Sequence, residues 1–77
     1  MNEKTRIQKD IVMFEENIKE IEKIVLTNPQ KKTIELATQY YKDSKYYKDK
    51  KDYFTSFGCI NYAHGLIDAI IKFKEES

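Results

Sequence analysis

Cysteine, proline and glycine are almost missing from this 77-residue chain, which holds one Cys, one Pro and two Gly. The lone Cys59 rules out an intrachain disulfide, and with the single His64 it cannot build a Cys/His zinc cluster. So few turn-forming residues exclude a sheet of short strands, which needs them at every reversal. An excess of charge is lacking too. Fourteen basic side chains stand against thirteen acidic ones, for a net charge of +1, which argues against a broad nucleic-acid surface or an acidic tail. No run of 18 apolar residues is present and no apolar leader follows Met1, so no membrane segment is expected. Together with the free thiol this suggests a soluble cytoplasmic protein. There is no Gly-rich phosphate loop and no HExxH pair, so neither a cofactor nor a metal is expected.

What remains is helix. A chain of this length buries only about 60 to 65% of its unfolded surface, so its core is small and needs close helix packing or self-association for stability. Over residues 4–26, Ile7, Ile11, Phe14, Ile18, Ile21 and Val25 recur at alternating steps of four and three. They form a stripe roughly 80° wide, which predicts a first helix giving one narrow edge to the core. Its other side is charged and solvated, with Glu15 and Lys19 spaced for a weak pair within the helix. Asn28-Pro29 then breaks the pattern. Proline disfavours helix at the residue before it but suits a helix start, so Asn28 is the expected N-cap of a second helix over 29–48, antiparallel to the first.

On that second helix Thr33, Ile34, Leu36, Ala37, Tyr40, Tyr41, Ser44 and Tyr47 fill an arc of roughly 160°. Ala37 and Ser44 lie at its centre, where small side chains let a neighbouring backbone approach; Tyr46 falls outside and should be exposed. The segment Lys48 to Asp52 is the second turn, with Asp52 as N-cap of a third helix over 53–75. Five lysines between Lys42 and Lys51, interleaved with tyrosines, raise a nucleic-acid reading for the Lys42–Lys51 turn. Asp43, Asp49 and Asp52 dilute the charge and no arginine joins it, so a solvated turn is the better reading.

The third helix is the most apolar. Tyr53, Ser56, Phe57, Ile60, Ala63, His64, Ile67, Ile70 and Ile71 form one face, and Cys59, Tyr62, Leu66, Ala69 and Phe73 a second beside it. The apolar arc reaches roughly 220°, more than two neighbours in a three-helix bundle require. The second face is therefore the candidate interface for a homo-oligomer, most simply a dimer, or for a protein partner. Gly58 and Gly65 lie at its edge, where close helix packing is the expected reason for them. His64 and Asp68, four apart, are a possible polar site. A histidine oriented by an aspartate is half of many nucleophilic sites, and a small hydrolase or nuclease is the alternative it raises, but no nucleophile accompanies it. A hydrogen-bonded pair at the buried edge is the simpler expectation.

The segments Tyr40-Tyr41-Lys42-Asp43-Ser44-Lys45-Tyr46-Tyr47, Lys51-Asp52-Tyr53 and Asn61-Tyr62-Ala63-His64-Gly65-Leu66-Ile67-Asp68-Ala69 resemble a family of small archaeal proteins known as domain of unknown function 357. The resemblance covers the C-terminal half best. It implies an up-and-down three-helix bundle with the hand of albumin-binding modules, and it implies no reaction. Lys51 departs from the family's turn glycine, and Ser44 and Ser56 stand at positions that are often alanine.

Overall fold

A computed structural model describes the backbone of residues 2–76 and the side chains of residues 2–72. Three helices make up the fold: α1 (Glu3–Ile21), α2 (Asn28–Asp49) and α3 (Tyr53–Glu76). The Asn2 side chain caps α1 by accepting from the Thr5 N–H at 2.8 Å. α1 stops at Ile21, short of the expected Leu26. The chain tightens there, with Lys23 N–H donating to the Glu20 carbonyl at 3.2 Å and Ile24 N–H to the Ile21 carbonyl at 3.1 Å. Leaving the helix early turns Leu26 onto the core and puts Val25, expected in the buried stripe, fully into solvent at 100% exposure.

The N-cap of α2 is Thr27 rather than Asn28. Thr27 and Gln30 form a capping box: the Gln30 N–H donates to the Thr27 hydroxyl at 3.2 Å and the Thr27 N–H to the Gln30 side chain at 2.9 Å. Pro29 falls within the first turn, where its missing N–H leaves no intrahelical bond unmade. The reversal at the other end is made by Lys51, whose φ of 64° places it in the left-handed region. Asp52 N–H donates to the Tyr47 carbonyl at 2.9 Å and Lys51 N–H to the Lys48 carbonyl at 3.0 Å, the two bonds of a Schellman ending. Asp52 then caps α3, its carboxylate accepting from the Thr55 N–H at 3.2 Å.

Side-chain pairs give the helix directions. Partners run in opposite order on α1 and α2, where Glu15 meets Tyr41 and Gln8 meets Lys48. They do so again on α2 and α3, where Tyr40 meets Tyr62 and Ser44 meets Ser56. On α1 and α3 they run in the same order, Arg6 with Phe57 and Asp10 with His64. The molecule is an up-and-down three-helix bundle.

Ile7, Ile11, Phe14 and Ile21 from α1, Ala37 from α2, and Ile60, Ala63 and Ile67 from α3 form the buried core. Phe14 is where the three helices meet: Tyr41 stacks on it with ring centroids 4.9 Å apart, and His64 meets it edge-on at 5.8 Å. Between α2 and α3 the centre is small. Ser44 and Ser56 are both completely buried and exchange hydroxyl-to-carbonyl hydrogen bonds of 2.7 Å in each direction. With Ala37 they draw the backbones of α2 and α3 together, and Leu36, at the edge of the expected arc, is left 46% exposed on the rim. α1 packs mainly on α3 and only lightly on α2. The result is a flattened body measuring 39 × 22 × 15 Å with α3 shared by both neighbours. That placement accounts for much of α3's wide apolar arc.

Candidate docking surface

The core side of α3 is as expected from its periodicity: Ser56, Ile60, Ala63, Ile67 and Ile70 are buried, and Tyr53, Phe57 and Ile71 are half-buried beside them. His64 and Asp68 do not form the expected pair. The His64 Nε2 lies 2.7 Å from the Asp10 carbonyl oxygen, to which it donates, whereas Asp68 is exposed and makes no hydrogen bond with the ring. The histidine is thus a tie between α3 and α1. A helical carbonyl accepts a second bond on its free lone pair, so the tie costs α1 none of its own bonding. Glu15 likewise pairs with the Tyr41 hydroxyl rather than with Lys19. Burial and then the Glu15 hydrogen bond push the Tyr41 hydroxyl up from its ordinary pKa of 10.0.

The expected interface residues are divided. Leu66 is half-buried and packs against the core, and Cys59 is half-buried with its thiol pushed up from the ordinary 9.0, first by burial and then by the Asp43 and Asp52 charges. Tyr62 is 53% exposed and leans on Tyr40 with ring centroids 4.6 Å apart, and Ala69 is exposed. Phe73 lies outside the described side chains.

The surface these residues border is broader than the expected face and is centred further round the helix. Phe54 stands 92% exposed at one end, and Gly58, Asn61, Gly65 and Ala69 continue from it along the solvent side. Neither glycine has a packing neighbour, because a Cβ built at either position meets nothing within 4 Å. The close helix packing expected of them is not made within this chain, where each lowers helix propensity by about 1 kcal/mol relative to alanine with no gain. Residues 53–67 also contain no Asp, Glu, Lys or Arg, although 35% of the chain is charged. A solvent-facing helix side with exposed aromatics and no charge is unusual, since charged residues normally cover it.

Other surfaces are less distinctive. A concavity of about 740 Å³ along α1 is lined from one helix alone, with Lys4, Lys9 and Glu16 interleaved with Val12 and Met13. At the lysine-rich turn, Lys45 lies 5.2 Å from the Tyr41 ring centroid and Lys50 5.6 Å from that of Tyr46, so the chain's own ammonium groups occupy these rings. Among the described residues no group of three or more His, Cys, Asp and Glu side chains is placed to hold a metal ion, and no helix is long and apolar enough to cross a membrane.

Sequence reasoning gave no role to Phe54 and did not find the Ser44–Ser56 link. The signal for the link was present, as small polar residues at core-facing positions of two helices joined by a short turn.

Helix order, the short turns and the shared core define a small all-α three-helix bundle. The chain belongs to the family described as protein of unknown function DUF357, whose model matches residues 9–74. No curated protein gives a significant match.

Proposed function

We propose that this chain is a non-enzymatic docking module, at work in the cytoplasm, that uses the solvent side of α3 to self-associate or to hold a protein partner. The observation that carries the reading is the uncharged stripe from Phe54 to Gly65, with Phe54 92% exposed and two glycines facing open space. Of the exposed aromatics, Tyr62 lies near the middle of this surface, where aromatic side chains commonly dominate binding energy, and glycines on a helix surface permit a second backbone to come close. The tie of His64 to the Asp10 carbonyl and its separation from Asp68 weigh against a hydrolase or nuclease built on those two residues.

Sedimentation across protein concentrations up to about 1 mM, which reaches even weak complexes, tests the self-association form. The expected result is a concentration-dependent rise to dimer in the wild type and a shift to monomer in Tyr62→Glu. A monomer throughout, with no partner that distinguishes wild type from Tyr62→Glu, removes the reading.

A further inference from the structure

Where α1 meets the start of α3, Glu3, Arg6, Ile7, Tyr53, Phe54 and Phe57 line a pocket of about 190 Å³. Arg6 lies over the Phe57 ring, 5.1 Å from its centroid, and both Glu3 and Arg6 are exposed at the rim. Toward the other end of α3, Asp68 is exposed beside the flank that faces α1, and Lys72, about five helical turns on from Phe54, is exposed on the same solvent line as that ring. The described side chains thus place Arg6 at one end of the surface and Asp68 toward the other, so that the two meet across an interface when one copy is reversed.

Resting on the docking reading above, we infer that the occupant of this surface is a second copy of the chain, its α3 packed antiparallel to the first across a two-fold axis passing between Asn61 and Tyr62. In that arrangement residues equally far from the axis come level. Gly58 of each copy faces Gly65 of the other, so the backbones approach where no Cβ intervenes. Phe54 comes level with Ala69, a large ring against a small side chain. Asp68 of the second copy comes level with Thr55 and reaches the Arg6 rim, while its Lys72 comes level with Lys51, so the charge complementarity rests on the Asp68–Arg6 pair. A two-fold axis repeats that pair, as an isologous interface requires. The parallel alternative sets Asp68 against Asp68, Lys72 against Lys72 and Phe54 against Phe54, and leaves Arg6 without an acid. Exposed ion pairs add little affinity singly, but they decide orientation.

Charge reversal tests the orientation. Arg6→Glu and Asp68→Arg are each expected to weaken dimerisation by about tenfold, and the two together in one chain to restore it, because the reversed pair meets across the interface. Gly65→Ala separates interface from fold: the monomer's urea midpoint is expected to rise, since the added methyl meets nothing, while the dimer dissociates at about tenfold higher concentration because the backbones are held apart. A dimer that Tyr62→Glu dissolves but that shows no rescue in the double reversal, or is unmoved by Gly65→Ala, overturns the antiparallel pairing and leaves the docking surface standing. A wild-type monomer at every concentration overturns the pairing; the docking reading then falls only if no partner distinguishes Tyr62→Glu.

Discussion

Lys51 occupies a backbone conformation that side chains with a Cβ resist, at φ 64°. A single left-handed residue costs roughly 1 to 2 kcal/mol, and glycine escapes that cost because it has no Cβ to meet the following carbonyl. The two Schellman hydrogen bonds keep Lys51 there. Lys51→Gly is therefore expected to stabilise the fold by about 1 kcal/mol, raising Tm by about 4 to 8 °C with unchanged helical content by circular dichroism. A lower Tm would mean that the lysine side chain contributes more than its backbone costs. The identity of this turn was legible, since Asp52 was identifiable as a cap; the left-handed residue was suggested only by its departure from the family's glycine. His64 was legible as a buried-edge polar residue, but its acceptor was not. The Asp10 carbonyl that accepts its hydrogen bond is 54 residues away in sequence, and a backbone oxygen carries no residue-type signal.

At the scale of the element, the α2–α3 hairpin is held by a seam with almost no side-chain volume. Ser44 and Ser56 each send a hydroxyl to the other's carbonyl, so deleting one hydroxyl leaves the other bond in place. Ser44→Ala is expected to cost about 1 kcal/mol, the usual net value of one hydrogen bond. Ser44→Leu has to force α2 and α3 apart in a completely buried seam and is expected to cost about 3 kcal/mol or more. Urea denaturation ranks the two variants, and an equal loss in both would contradict a tightly closed seam. Periodicity predicted the close approach from Ala37 and Ser44, yet it also placed Leu36 and Val25 inward. Leu36 sits on the shoulder of a pair of helices too close together to cover it. Val25 follows a helix end that tightens one turn early because the chain must reach the Thr27 capping box.

For the whole molecule, near-balanced charge means that no large net repulsion builds up on either side of neutrality. Two weak acids, Tyr41 and Cys59, are both raised, and burial is the first cause in each. The folded state then holds protons that the unfolded chain releases, so their contribution is fully present below about pH 8 and is lost as pH rises through and beyond 9.0 and 10.0. The urea midpoint is expected to be lower at pH 10 than at pH 8, and the drop to be smaller in Cys59→Ala. A midpoint that climbs between those two pH values would reverse the sign and contradict the burial of both groups. The flattened body, 15 Å in its shortest extent, also explains why a surface is left over: three helices with α3 shared between the others cannot wrap the side of α3 that faces away from both.

The sequence by itself determined three helices, their order and alternation, the short turns and the buried stripe on each. These follow from local periodicity and from capping residues whose partners lie within a few positions. Tertiary structure alone decided which helix is shared, which carbonyl accepts the His64 hydrogen bond, and that Gly58 and Gly65 face open space instead of a neighbour. Each of these depends on the rotation of one helix against another, which residues far apart in the chain set together. Tyr53 to Phe73 reads as apolar on most of its circumference in the sequence; only packing distinguishes the part that belongs to the core from the part that faces solvent.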